Sequence, residues 1–361
     1  MAQVLESSVV VVTGASSGIG RATALAFAEE GASLILAARR EEALRETAAQ
    51  CEERGARAVA VPTDTRDAAA MDRLGELAVE RFGRLDVWVN NASVHLFARF
   101  DEAPPDLWRE VMEVNFFGYV HGARAALPRF RDQGGGTLIN VASINSAVGA
   151  PYASAYVSSK FALRGFAESL REELRDQRID VCTVMPASID TPLFQHAANL
   201  TGRAAKPLRP IIRPERVAAA IVRCARRPRR ELIVGASGRQ LVLAHALVPS
   251  LFERLMTWNV EREHFRDEPL EHTTGNVYQP MPEWTGVTGG WKDGDPSPKG
   301  SGPAPTAGAV GTAALSLTKT AATVIGMATS TVVAMGTRAS GHRLRLRPGS
   351  RASGRRYGLR A

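Results

Sequence analysis

Tyr156 and Lys160 stand four residues apart in SAYVSSKFALRG, a stretch patterned as a helix, so their side chains share one face. A lysine beside a phenol stabilises phenolate and lowers the tyrosine pKa from ~10, making it usable as an acid and base near neutrality. Ser143 lies thirteen residues before Tyr156, just past a predicted strand, from where its hydroxyl reaches the same reacting oxygen. A Tyr-x-x-x-Lys pair alone is common on helix surfaces. It gains meaning from a second cluster near the N-terminus.

That cluster is Thr13-Gly14-Ala15-Ser16-Ser17-Gly18-Ile19-Gly20, following an apolar run and opening a helical pattern. Glycines let a backbone turn sharply and approach a pyrophosphate, whose charge then rests on free N–H groups at the helix N-terminus. The next strand ends Ala37-Ala38-Arg39-Arg40. An acid at position 38 would accept the ribose hydroxyls of NAD, whereas an arginine pairs with a 2′-phosphate. Ala38 followed by Arg39 therefore favours NADP(H) over NAD(H). The plainer alternative is that Arg39 and Arg40 open a solvated helix ahead of Glu41 and Glu42.

Positioning these groups requires a sheet. Apolar runs at Val9–Thr13, Ser33–Ala38, Ala58–Val61, Leu85–Val89, Thr137–Val141, Asp180–Val184 and Glu231–Val234 predict strands. They show little alternation, as when helices cover both faces of a parallel sheet. Helical patterns lie between them at 18–30, 41–54, 67–82, 104–130, 153–177 and 214–226. The expected fold is α/β: one doubly wound Rossmann sheet of these seven strands, with helices on both faces. Residues 1–237 form the nucleotide-binding catalytic domain in this reading, and 238–267 an amphipathic helical extension. Residues 268–308 read as an irregular Pro/Gly-rich linker, disordered from about 292, and 309–361 as a low-complexity Ala/Thr-rich segment with an Arg-rich end.

Together TGASSGIG at 13–20, Asn90-Asn91-Ala92, Asn115, Ser143 and Tyr156-Val157-Ser158-Ser159-Lys160 resemble the compact branch of the short-chain dehydrogenase/reductase family over about residues 8–235. The resemblance implies that Tyr156 exchanges a proton with a carbonyl or alcohol oxygen while Ser143 hydrogen-bonds that oxygen. Lys160 would lower the Tyr156 pKa and hold the nicotinamide ribose, and Asn115 would position a water linking Lys160 to solvent. Cofactor contacts would come from Gly14, Ser16, Ser17, Gly18, Ile19, Gly20, Arg39, Asp64, Thr65, Asn91, Ala92, Pro186, Ile189 and Thr191, besides Tyr156 and Lys160. The implied activity is hydride transfer between NADP(H) and a ketone, aldehyde or secondary alcohol. A rival is a nucleotide-binding scaffold, or a membrane-associated interaction protein, that works through its basic tail; the complete Asn115/Ser143/Tyr156/Lys160 set argues against it. Ser93 and Ala187 replace glycines usual in the family; where φ must be positive, each would cost about 1 kcal/mol or more.

Val94, His95, Ile144, Asn145 and Phe194 are the candidate substrate-pocket residues, mostly apolar. By resemblance, helices at 104–130 and 153–177 pack copies into a homodimer or homotetramer. The widely spaced Cys51, Cys182 and Cys224 match neither a disulfide framework nor a zinc set, so no metal is expected and a reducing compartment is.

The formal charge of +8 invites a polyanion partner. However, residues 296–361 hold 10 Lys/Arg and no Asp/Glu, leaving residues 1–295 with 35 cations and 37 anions, a net of −2. No base-reading motif accompanies the basic end, so no specific nucleic-acid partner is expected. A cytoplasmic location is expected, because the first residues carry no basic leader pattern. Thr320–Thr337 is uncharged but dominated by Ala, Thr and Gly, so a weak membrane contact through 309–361 is the lesser of two readings, behind a floating tail.

Overall fold

The structure, a computed structural model, describes residues 5–294 and 296. Seven parallel strands build the sheet: β1 (Val9–Thr13), β2 (Ser33–Ala38), β3 (Ala58–Pro62), β4 (Val87–Asn90), β5 (Gly136–Val141), β6 (Ile179–Pro186) and β7 (Glu231–Val234). Their spatial order is β7-β6-β5-β4-β1-β2-β3. The order reverses between β1 and β4, and beyond the carboxyl ends of these strands such a sheet opens a crevice for ligands.

Successive β1 side chains enter opposite layers. Val10 and Val12 pack with Leu34, Leu36, Phe27, Leu44, Val217 and Ile221 under helices α1 (Gly18–Glu29), α2 (Glu41–Glu52) and α8 (Pro214–Arg226). Val9 and Val11 pack with Ile35, Met71, Leu74, Phe130 and Leu170 under α3 (Ala68–Phe82), α5 (Gly118–Asp132) and α6 (Ser154–Glu173). Burial on both faces explains why these strands read as continuous apolar runs.

Where one helix is predicted over 104–130, the chain forms α4 (Pro105–Met112), a π-helical turn at Glu113–Phe117, and then α5. Asn115 sits on that turn, fully buried. Its Oδ1 accepts from the Val94 N–H at 2.8 Å and the Ser93 hydroxyl at 3.0 Å, and its Nδ2 donates to the Val94 carbonyl at 2.9 Å. The widened turn brings the amide onto the loop after β4. Ser93 thus has a hydrogen-bonding role. Among the described residues only Ser7, Tyr152 and Trp284 are non-glycines with positive φ, so neither Ser93 nor Ala187 carries the strain weighed above.

After β6 come the short α7 (Leu193–His196) and α8; after β7 come α9 (Ala236–Leu247) and α10 (Pro249–Glu263). Phe252, Met256 and Val260 of α10 join Phe97, Val148 and Leu241 in a separate cluster against the body. Residues 270–294 then run irregularly back across the carboxyl edge of the sheet. The segment 309–361 and its membrane reading lie outside the described residues, among which no helix is long and apolar enough to cross a membrane.

A buried polar knot fixes the end of β4. Asn90 Nδ2 donates to the Tyr119 carbonyl at 3.1 Å and to Asn140 Oδ1 at 3.0 Å, and its Oδ1 accepts from Trp88 Nε1 at 2.8 Å. Gly122 of α5 leaves room for it, since a Cβ there would stand 2.1 Å from Asn90 Oδ1. Gly122→Ala should therefore destabilise the chain by about 1–3 kcal/mol in urea unfolding; an unchanged midpoint would show the knot to be loose.

Candidate active site

The turn after β1 is shaped by Gly14 and Gly18, at φ +67° and +56°. A Cβ on Gly14 would stand 2.8 Å from the Ala92 Cα, and one on Gly20 would stand 2.1 Å from the Gly14 carbonyl oxygen. Gly20 therefore serves helix packing. Asn91 braces the turn from below, its Nδ2 donating to the Thr13 carbonyl at 2.9 Å. Ser17, at the α1 N-cap, does not cap the helix with its side chain. Its Oγ instead accepts from Arg40 at 2.7 Å, leaving the N-terminal N–H groups of α1 to other acceptors.

A cleft of about 1090 Å³, counting its open mouth, lies over this turn. Gly14, Ser16, Ser17, Gly18, Ile19, Arg39, Asp64, Thr65, Asn91, Ala92, Tyr156, Lys160 and Thr191 all line it. Val94 does too, on this side rather than in a substrate pocket. At its far end Asp64 is held by Arg66 at 2.6 Å, and Arg66 also reaches Glu110 at 2.6 Å. Burial alone would raise the Asp64 carboxyl, but the Arg66 hydrogen bonds outweigh it and the net shift is downward.

A second cavity, about 1050 Å³ with its mouth, adjoins the first. His95, Ser143, Ile144, Asn145 and Phe194 line it, together with Pro186 and Ile189, which thus face this cavity and not the first cleft. Ile19, Ala142, Tyr156, Thr191 and Leu193 border both spaces. Tyr156 therefore stands at their junction with Ser143 beside it.

Both members of the Tyr–Lys pair are buried, at 8% and 1% exposure. Burial pushes the Tyr156 phenol up to about 12, against a hydrogen bond with Ser143 that pulls it down. This is opposite to the lowering predicted from sequence. The reason is burial of the phenol; the amine is engaged elsewhere, since Lys160 Nζ donates to the Val141 carbonyl at 3.3 Å and the Tyr119 hydroxyl at 3.5 Å and lies 5.4 Å from the Tyr156 ring centroid. Burial also brings Lys160 down to about 7. Next to the pair, His95 stacks on Tyr156 at 4.3 Å and on Phe97 at 4.0 Å. Burial lowers His95 to about 3 and His264 to about 4, so both imidazoles are neutral at physiological pH.

Sequence reasoning missed several of these groups. Tyr119 offered no motif, and Arg40 looked like surface charge beside Arg39. Leu241, Met256, Val260 and His264, which wall the second cavity, come from the 238–267 extension, whose amphipathic pattern fits a cap over a substrate pocket but singles out no residue.

The low Lys160 value has a thermodynamic consequence. With a folded pKa near 7 and an ordinary value of 10.5, the unfolded chain binds more protons between those limits, so this site makes stability rise with pH across that window. Lys160→Met should raise the melting temperature of the ligand-free chain at pH 7 by several degrees and flatten that rise. A pH–stability curve unchanged by the substitution would contradict the burial cost.

Comparison with known proteins agrees with this geometry. The family model described as short chain dehydrogenase matches residues 8–200. The uncharacterized oxidoreductase YxnA of Bacillus subtilis is 39% identical over 256 residues, covering 70% of this chain and 72% of that protein. An uncharacterized oxidoreductase of Staphylococcus aureus, SAUSA300_2422, is 36% identical over 200 residues, covering 55% of this chain and 85% of its own length. Among solved structures, the alcohol dehydrogenase from the archaeon Thermococcus sibiricus complexed with 5-hydroxy-NADP superposes with a TM-score of 0.56 at 30% identity, over 63% of this chain and 95% of that one. With its seven-stranded parallel sheet and a Tyr–Lys pair whose tyrosine borders both cavities, the chain belongs to the short-chain dehydrogenase/reductase family, whose members are NAD(P)-dependent oxidoreductases.

Proposed function

We propose that this chain transfers hydride between NADP(H) and a neutral, largely apolar ketone, aldehyde or secondary alcohol, with Tyr156 as the proton donor and acceptor. The observation that carries this reading is the place of Tyr156 on the wall shared by the two cavities.

The residues of the first cleft suit a dinucleotide. Gly14 allows the close approach, α1 offers N–H groups, and Arg39 supplies cationic donors where Ala38 leaves no carboxylate. The nicotinamide, when bound, supplies or accepts the hydride. At neutral pH the buried phenol of Tyr156 keeps its proton and can give it to a carbonyl oxygen, with the Ser143 hydroxyl as a second donor to that oxygen. Proton loss leaves a phenolate out of water, and a protonated Lys160 offsets its charge from below the ring. Asn115 acts at a distance by fixing the Val94 loop.

The second cavity supports the substrate class. Ile144, Val148, Leu208, Leu241 and Met256 give it an apolar lining, and among the described residues no Asp, Glu, Lys or Arg lines it. Phe117 and Phe161 remain exposed on or beside α5 and α6, which favours pairing of copies through those helices.

Tyr156→Phe should cut NADPH-dependent reduction of neutral ketones by about 10²–10⁴-fold while leaving NADPH binding within a few-fold; equal activity would refute the proton role. Arg39→Ala should weaken NADPH binding by about ten- to a hundredfold more than it weakens NADH binding, the worth of a charge-assisted hydrogen bond to the 2′-phosphate. Equal loss of both, measured by titrating cofactor fluorescence, would refute the 2′-phosphate assignment.

A further inference from the structure

Residues 273–292 cross the mouth of the first cleft and are bonded on both sides. On the turn side their carbonyls receive donors: Gly286 from the Gly18 N–H at 3.0 Å, Thr285 from Arg21 at 3.0 Å, and Met281 and Glu283 from Arg40 at 3.1 and 3.0 Å. Arg39 reaches the carbonyls of Asn276, Val277 and Tyr278. On the opposite side the same stretch is zipped to residues 190–199. Thr273 and Asn199 exchange backbone bonds at 2.8 and 3.0 Å, the Asn276 N–H donates to the His196 carbonyl at 2.8 Å, and Gln195 donates to the Gly289 carbonyl at 2.8 Å. Asp190 closes the seam. Its carboxylate, 1% exposed, accepts from the N–H groups of Gly289, Trp291 and Lys292 at 3.1, 2.8 and 3.2 Å.

Residues 190–199 include Thr191 and Leu193, which border both cavities, while Asn276, Pro280 and Met281 line the first cleft. The strap and this flap are therefore a single hydrogen-bonded cover over nucleotide and substrate spaces together. The cover does not fill the cleft. A guanidinium presents five N–H donors, so Arg39, engaged by three carbonyls, retains two for a phosphate. Arg39 can therefore hold strap carbonyls on one side and an anion on the other, while all five Arg40 donors are taken by Ser16, Ser17 and the strap carbonyls.

We propose that residues 273–292 complete the nucleotide site of this chain as a clamp that retains the bound cofactor, with Asp190 the positioning residue that latches clamp to flap. The inference rests on the NADP(H) reading above. It makes the C-terminal extension part of the cofactor site, and couples release of nucleotide to opening of the substrate flap.

The test is stopped-flow release of NADPH from the full chain and from two independent variants. Asp190→Asn sets an amide against three N–H donors. Gly289→Val drives a side chain toward the Thr191 carbonyl, 2.5 Å from where the Cβ would lie. Each variant should release NADPH about tenfold faster or more, with its association rate within about threefold of wild type. A merely structural defect would lower the fraction of competent protein without moving the release rate. Unchanged release in both variants overturns the clamp. Faster and tighter NADPH binding by the variants also overturns it, because the strap would then be an obstructing cover. A wild-type chain that binds no NADPH removes the cofactor reading itself, and the clamp with it.

Discussion

Hydrogen-bond donors collect at the carboxyl edge of a parallel sheet, and they need acceptors. The N-terminus of α1 points there because α1 begins where β1 ends, at the carboxyl edge of the sheet. Arg21, Arg39 and Arg40 converge on the same place, with Glu46 answering Arg21 and Asp64 already held by Arg66. Much of the remaining architecture answers this surplus. The glycine turn keeps backbone out of the way, the strap brings carbonyls, and between them is a cleft in which an anionic ligand has donors waiting.

The proton chemistry rests on a second constraint, exclusion of water. Tyr156 and Lys160 are both buried where charge is disfavoured, so the phenol rises to about 12 and the amine falls to about 7. The resting state this favours is a neutral phenol that holds its proton beside an amine that gives up its proton far more easily than an exposed lysine. Tyr119, Val141 and the ring of His95 set the geometry around the pair. Charge arriving in the cleft acts on both groups at short range in a medium of low dielectric.

The chemistry was legible from side chains, and the cover was not. Strands such as Val9–Thr13 follow from apolar runs because both faces are buried, and Tyr156, Lys160 and Ser143 follow from type and spacing. The strap acts through the carbonyls of Asn276, Met281, Glu283, Thr285 and Gly286, and every residue has a carbonyl. Nothing in TTGNVYQPMPEWTG distinguishes such a segment from a linker. The π-helical turn at Asn115 was hidden for a related reason: its cause is a contact with the Val94 loop, some twenty residues away in sequence. The direction of the Tyr156 shift depends on depth of burial and on which atoms Lys160 reaches, neither of which spacing reports.

The central claim is that hydride passes across the boundary where Tyr156 stands. Reduction of a neutral aromatic ketone with NADPH deuterated at the transferable C4 position, read by mass spectrometry of the alcohol, tests it most directly. The account predicts one deuterium on the carbinol carbon, with the hydroxyl proton drawn from solvent. An alcohol without the label, or a chain that binds NADPH and turns over no ketone or aldehyde, would contradict it.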